Sequence, residues 1–404
     1  MRIKIQKSSQ KINPFGGINF VVEALKQKDI AKLIDHKLGK RSAKAQYKYS
    51  DIILANTYTT LCGGDCLEDT HKIKELCGEI PNIKLPSSDR VGDLLRELRQ
   101  ENEIIISESG IKHEFNYATR HNDMLLDIIM RLNLLNTNQY YTLDYDNTII
   151  ETEKFDSKKT YKHTKGYQPG VAFIDKIPVY IEGRNGNNNA CFQLKETLQR
   201  AFTLLESRNI KIKRFRSDSA AYQKEVIDFC EQKDSEFFIR ITDCSALQQQ
   251  ISDITQWQQI RINNQFYDVA SIEYYPFNQT EKSYRVAVRR EKRKDKQLGI
   301  WSGEYNYGCI ITSNYDMSDK EVIEFYNKRG AVEKNFDVLK NDFNWSKLPF
   351  SDLDSNTVFM IVAAIANVIY LYMIDWISSK VKWIKSNFRL KNFIFHFITV
   401  ASKW

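Results

Sequence analysis

Residues 357–374, TVFMIVAAIANVIYLYMI, run for 18 positions without a charge. Few features constrain a chain more. A helix apolar on every side must lie either across a bilayer or inside a protein large enough to wrap it. Asn367 interrupts the segment, and no other stretch of the chain resembles it, so a buried helix and no membrane partner are the expectation. The chain has the material for such a core. Its 404 residues are 42% hydrophobic, 12% aromatic and 27% charged, as in a folded protein of two or three domains. Seven cysteines, an odd number, and no signal peptide point to a reducing cytoplasm.

The net charge of +8 is clustered. Residues 1–48 hold 12 Lys/Arg against 3 Asp/Glu, residues 282–296 hold 8 against 2, and residues 380–404 hold 6 against none. One such cluster is as readily a solvated surface, but three in one chain favour a polyanion such as DNA.

Local pattern divides the chain. Residues 1–136 read as a basic, all-helical N-terminal domain: FVVEALKQKDIAKLIDHKLG is apolar at helical spacing and ends on Gly39, and SSDRVGDLLRELRQE opens on a capping signal. From residue 137 the texture turns to strands. YYTLDYDNTII, GVAFI, PVYIEG, a helix over about 190–207, IKIKRFRSD, a helix across 220–232 and EFFIRIT give a mixed α/β sheet with helices packed on it, over 137–242. Residues 243–306 read as a β-rich insertion, with strands near 265–274, 283–290 and 305–312. Residues 307–376 return to the sheet-and-helix layer, and 377–404 form a basic C-terminal helical segment.

Chemistry concentrates in acids. Asp144 and Asp146 lie two apart on a strand and so share one face of the sheet. Asp218 ends the strand KRFRSD, at the rim where α/β sheets form crevices. YNKRGAVEKNFDVLKND (326–342) reads as one helix that aligns Tyr326, Arg329, Glu333 and Lys340 within roughly 60° of one another. Arg329 precedes Glu333 by one turn, the less favourable order for a pair, so helix stabilisation explains that stripe poorly. A carboxylate beside the apolar side made by Phe325, Val332, Phe336, Leu339 and Phe343 is costly without a cation. Mg²⁺ takes hard oxygen ligands, and a pair of ions can hold both oxygens of a phosphodiester displacement, which needs acids from several elements.

The spacing Tyr-x2-Arg-x3-Glu-x6-Lys at 326–340 resembles the signature of bacterial insertion-sequence DDE transposases, of the DDE domain group 1 type. DNT at Asp146 and RSDSAAY at Asp218 are similar to the surroundings of that family's first two acids, with intervals of 72 and 115 residues between the acids. The resemblance covers about residues 85–375 and also takes in YGCIITSN and the apolar run. It implies a ribonuclease-H-like fold with the β-rich insertion before the last catalytic helix. It also implies two Mg²⁺ (or Mn²⁺) ions held by Asp146, Asp218 and Glu333, with Arg329 and Lys340 clamping phosphate and Tyr326 supporting that contact. The expected activity is binding of the element's terminal inverted repeats, cleavage and strand transfer by a homodimer on double-stranded DNA, in the bacterial cytoplasm near the nucleoid. The alternative is a catalytically silent DNA-binding derivative.

Asp144 can orient Asp146 or replace it as ligand, and Asp337 is a weaker rival for the third acid. Arg289, Arg290, Lys292 and Arg293 are expected to meet DNA phosphates as charge alone. Trp257 and Trp301 are expected to pack, with stacking on an unpaired base as the other use. Cys62, Cys66, His71 and Cys77 match no standard zinc spacing, and His163 reads as a loop residue.

Overall fold

The structure, a computed structural model, describes residues 12–78, 80, 83–241, 245–278, 281–292 and 305–403. Arg293 and Trp301, together with residues 1–11 of the first basic cluster, lie outside the described residues. The chain opens with helices α1 (Ile18–Gln27), α2 (Ile30–Leu38), α3 (Tyr49–Leu61), α4 (Asp69–Cys77) and α5 (Ser88–Glu97). A hairpin of β1 (Glu103–Ile106) and β2 (Lys112–Asn116) follows, then α6 (Thr119–Arg131). The hairpin corrects the all-helical reading of this region. The β-branched run Ile104–Ile106 prefers a pleated surface, and Gly110, at φ +78°, makes the turn that an L side chain would resist.

The sheet begins with β3 (Tyr140–Asn147), passes through the short β4 (Ile150–Glu151), β5 (Lys158–Lys159) and β6 (Lys165–Tyr167), and continues with β7 (Gly170–Ile174) and β8 (Ile177–Arg184). Helix α7 (Leu194–Glu206) leads to β9 (Lys211–Ser217), α8 (Lys224–Gln232) to β10 (Glu236–Arg240), and α9 (Ser245–Ser252) to β11 (Gln258–Ile262), β12 (Gln265–Tyr274), β13 (Tyr284–Lys292) and β14 (Tyr305–Thr312). Eleven strands form one sheet in the order β1-β2-β8-β7-β3-β9-β10-β14-β13-β12-β11, while β4-β6-β5 stand apart. β7 runs antiparallel to β3 and β8 antiparallel to β7, whereas β9 and β10 run parallel to β3, with α7 and α8 as the crossovers that parallel pairing requires. The β-rich stretch 258–312 is thus no separate layer. It joins the sheet through β14, antiparallel to β10.

Helices α10 (Asp319–Asn327), α11 (Ala331–Asn341), α12 (Leu353–Ser378) and α13 (Leu390–Phe393) complete the chain. Ser318 caps α10 by accepting from the Glu321 N–H while Glu321 accepts from the Ser318 N–H, a capping box. α12 carries the apolar run. It packs on α3, α5, α6, α11 and β8, and 89% of its most apolar window is inside the protein. β8 can pass so close because of Gly183, where a Cβ would stand 2.0 Å from Thr357 Oγ1 on α12. One hydrophobic core consequently runs from Ile18 to Ile398, shared by the N-terminal helices and the sheet.

Candidate active site

Register brings the first two acids together. β3 and β9 are parallel, with Asp144 opposite Arg216, so two residues further on Asp146 and Asp218 stand at the same end of neighbouring strands. Both line one cleft of about 790 Å³. Asp218 Oδ1 accepts from the Ala220 N–H at 3.0 Å and starts a short 3₁₀ turn, which holds that carboxylate at the rim.

Glu333 arrives from the other side. The expected single helix over 326–342 is in fact α10, a 3₁₀ turn at Lys328–Gly330, and α11. Gly330, a poor helix former, sits in that tighter turn. Tyr326 ends α10, Arg329 lies in the turn, and Glu333 and Lys340 are on α11. The junction is fastened on both sides. The Tyr326 hydroxyl meets the Ser217 carbonyl at 3.3 Å, Asn335 donates to the Asp175 carbonyl at 2.7 Å, and Phe336 packs edge-on against Phe173. Glu333 itself is exposed on α11. Lys340 donates to the Ile149 carbonyl at 2.7 Å, just beyond β3, and its ammonium is pulled below the ordinary lysine range by burial and by Lys162.

Electrostatics separates the acids. Burial pushes the Asp146 carboxyl up to about 6; Arg329 opposes this, while Asp218 and Glu333 add to it. Arg329 Nη1 donates to Asp146 Oδ2 at 2.9 Å, and the Asn147 N–H to Oδ1 at 2.8 Å. Burial acts against the Arg329 charge, but Asp146 and Tyr326 hold the guanidinium above its ordinary value. Asp144 is spent elsewhere. Arg216 donates through Nε to its Oδ1 at 2.8 Å and through Nη2 to its Oδ2 at 2.7 Å, deep in the sheet. The third nitrogen of Arg216 reaches the Phe325 carbonyl at 2.6 Å, so this pair also anchors the end of α10. Asp337 points away from the cleft, to Arg389 at 2.6 Å, and Arg389 holds Asp342 as well.

Asp146, Asp218 and Glu333 are all hard oxygen donors, and their mutual charge burdens Asp146 in a way a divalent cation relieves. They do not form a closed cage. Among the described residues the one cluster with ligand atoms within 4.8 Å of each other is Asp65, Cys66 and Asp69, at the surface.

A model of the family described as transposase DDE domain group 1 matches residues 1–403. The chain belongs to this family. It is similar to a piggyBac transposase in a synaptic complex with hairpin DNA, at 12% identity and a TM-score of 0.45, over 97% of this chain and 83% of that one. It is also similar to a Mos1 transposase in a paired-end complex with the left transposon end, at 15% identity and a TM-score of 0.21, over 49% of this chain and 61% of that one. No curated protein matches it.

Other residues singled out in this DDE chain fare differently. Arg290 donates to Asp268 at 3.1 Å and lies between the Trp257 and Tyr305 rings, 4.0 and 4.4 Å from their centroids. Arg289 lies over Tyr267 at 5.3 Å, and Lys292 is exposed at the end of β13. Trp257 therefore stacks on Arg290. The basic N-terminus is partly neutralised, since Lys37 pairs with Asp123 and Asp127 at 2.6 Å and Arg41 with Glu97 at 3.3 Å. The zinc candidates scatter: Cys62 and Cys77 contact each other in the core, Cys66 sits by Asp69, and exposed His71 faces Glu75 at 3.4 Å. His163 is an exposed turn residue at φ +66°. The sequence reading does not single out Arg216, although the Arg-x-Asp of β9, matching the Asp-x-Asp of β3, is a signal for it.

Proposed function

We propose that the protein is a DNA transposase that binds the terminal inverted repeats of its own insertion sequence, cleaves them and transfers the freed strands. Family membership carries the coarser reading. The finer one rests on a single observation: Asp146 and Asp218 end adjacent parallel strands in one cleft, with the charge of Glu333 acting on Asp146 from α11. The antiparallel run β3-β7-β8, flanked by β9 and β10 parallel to β3, supports a ribonuclease-H-like core.

Asp146, Asp218 and Glu333 are the residues that would hold Mg²⁺ or Mn²⁺, two ions per site. When bound, such ions stabilise charge on the attacking and leaving oxygens of a phosphodiester. Arg329 and Lys340, on the same edge, are assigned to DNA phosphates, and Tyr326 fixes their helix junction through Ser217. Lys292 and the neighbouring Arg293 extend the phosphate contact, with Arg289 and Arg290 contributing charge from β13. Hydrolysis of one phosphodiester gives a 3′ hydroxyl and a 5′ phosphate. That hydroxyl then attacks a second phosphodiester, exchanging one P–O bond for another. Helices of the basic N-terminal part read the ends, and two copies pair on DNA.

The test is cleavage of DNA bearing the element's ends, with Mg²⁺, by the wild type and by Asp218→Asn. Cutting that depends on Asp218 is expected. Equal cutting by the variant refutes the assignment, and end binding without cutting by the wild type makes the protein a silent derivative.

A further inference from the structure

The basic C-terminal segment spends one cation on the helix that carries Glu333. Arg389 stands immediately before α13, and its guanidinium reaches back to Asp337 on α11 and to Asp342, which caps that helix. Nη1 donates to Asp337 Oδ2 at 2.6 Å, Nε to Asp342 Oδ2 at 2.7 Å and Nη2 to Asp342 Oδ1 at 2.9 Å. The remaining oxygen of Asp337 accepts from Asn341 Nδ2 at 2.5 Å. Every oxygen of the two acids is thus engaged. The backbone around Arg389 is held as well. The Tyr370 hydroxyl of α12 donates to the Phe388 carbonyl, and the Arg389 carbonyl accepts from the Asn392 and Phe393 N–H groups at 2.9 and 3.0 Å.

Val332, Asn335, Phe336 and Leu339 are the buried side of α11. Glu333, Asp337 and Lys340 follow one another at i, i+4 and i+7 along the adjoining flank, so Asp337 stands between the other two. The negative charge of Asp337 reaches Lys340, where it acts against the downward pull of burial on that ammonium. Stripped of its arginine, Asp337 would be a second free carboxylate one turn from Glu333. Two like charges at that spacing repel, and a divalent cation shared between them relieves the repulsion. Such a cation would sit on α11 instead of in the cleft with Asp146 and Asp218. We propose that Arg389 is a positioning residue for the reaction: by occupying Asp337 and Asp342 it leaves Glu333 as the acid of α11 that is free to hold metal at the cleft. The inference rests on the transposase reading and gives the C-terminal segment a task other than contact with DNA.

The test uses the full chain, with Mn²⁺ as the probe and electron paramagnetic resonance as the readout, without DNA so that nothing is cut. With Arg389 in place, Glu333→Gln is expected to weaken Mn²⁺ binding about tenfold, roughly one charge contact, and Asp337→Asn to leave it unchanged. In the Arg389→Ala background, Asp337→Asn is expected to weaken binding by about that factor too. The Arg389 side chain is 44% exposed, so folding is not at stake. On DNA bearing the element's ends, with Mg²⁺, Arg389→Ala is expected to lower kcat severalfold and keep KM, and addition of Asp337→Asn to restore kcat. Loss of packing alone would not be repaired by a change at Asp337. If Asp337 stays silent toward Mn²⁺ in the Arg389→Ala background, or kcat is not restored, the positioning role is overturned and the transposase reading stands. Wild-type Mn²⁺ binding indifferent to Asp146→Asn, Asp218→Asn and Glu333→Gln alike overturns the transposase reading, and the positioning role with it.

Discussion

Asp144→Asn separates the two acids of β3. In the native protein both Asp144 oxygens are held by Arg216, and the two side chains are only 4% and 7% exposed. The amide is neutral and can turn only one acceptor toward two guanidinium donors, so a buried charge loses its partner. Breaking a buried pair from one side costs about 3–5 kcal/mol. At the usual unfolding entropy, a chain of this length shifts by about 4–6 °C for that loss. The cost extends to α10, because the same guanidinium holds the Phe325 carbonyl. Thermal and urea unfolding of Asp144→Asn and Asp146→Asn, side by side without metal, provide the measurement. The first is expected to lose stability on this scale and the second to lose little or gain, since Asp146 is burdened by Asp218 and Glu333. Asp144→Leu combined with Arg216→Met, which removes both charges, is expected to recover most of the loss. A destabilisation below about 1 kcal/mol for Asp144→Asn, the level of an exposed pair, would show that this pair does not hold the strands.

The raised Asp146 carboxyl sets a pH dependence. With its folded value pushed up to about 6 and an unfolded value of about 3.9, the native state keeps a proton that the unfolded chain has released between those values. This group's contribution therefore falls as pH rises through the window, by about 3 kcal/mol in all. Stability of the metal-free wild type minus that of Asp146→Asn, followed from pH 4 to 7, should carry that slope, and a flat difference would contradict it. Arg329→Ala removes the cation on Asp146 and should tighten Mn²⁺ binding by about tenfold, roughly one charge contact, as read by electron paramagnetic resonance; weaker binding would oppose the pairing. Gly183→Ala drives a methyl into Thr357 and should cost about 1–3 kcal/mol in urea unfolding. Arg290→Ala should destabilise by about 1–2 kcal/mol through lost ring and Asp268 contacts, whereas exposed Lys292→Ala should leave stability alone and lower the salt slope of DNA binding.

What was legible in the chain was local. The period of 283–290 and 305–312 gave strands, the uncharged run gave a buried helix, and the spacing of 326–340 gave one edge with a phenol, two cations and an acid. Partners across 72 or 183 residues leave no periodic trace, which is why Arg216 under Asp144 and Arg329 on Asp146 emerged only with the fold. The hairpin at 103–116 was hidden for a related reason. Its exposed Ile104 and Ile106 lie on a sheet edge that only the pairing of β2 with β8 creates. The rings around Arg290 were hidden as well, because a charge run carries no record of the aromatic side chains that fold around it.

The strand pairing also explains why two similar acids on one strand end in unlike roles. Asp144 and Asp146 each face an arginine, like two rungs of one ladder. The inner rung joins two neighbouring strands with both oxygens engaged and water excluded, so its charge is committed to holding β3 to β9. The outer rung is a single contact at the cleft, and its arginine comes from a 3₁₀ turn between helices instead of from the sheet. One oxygen of Asp146 takes that contact while the other accepts only a neighbouring backbone N–H. A pair so placed can exchange its cation at little structural cost, and the inner pair cannot. Position along the strand, rather than residue type, divides the acid committed to joining strands from the acid left at the cleft.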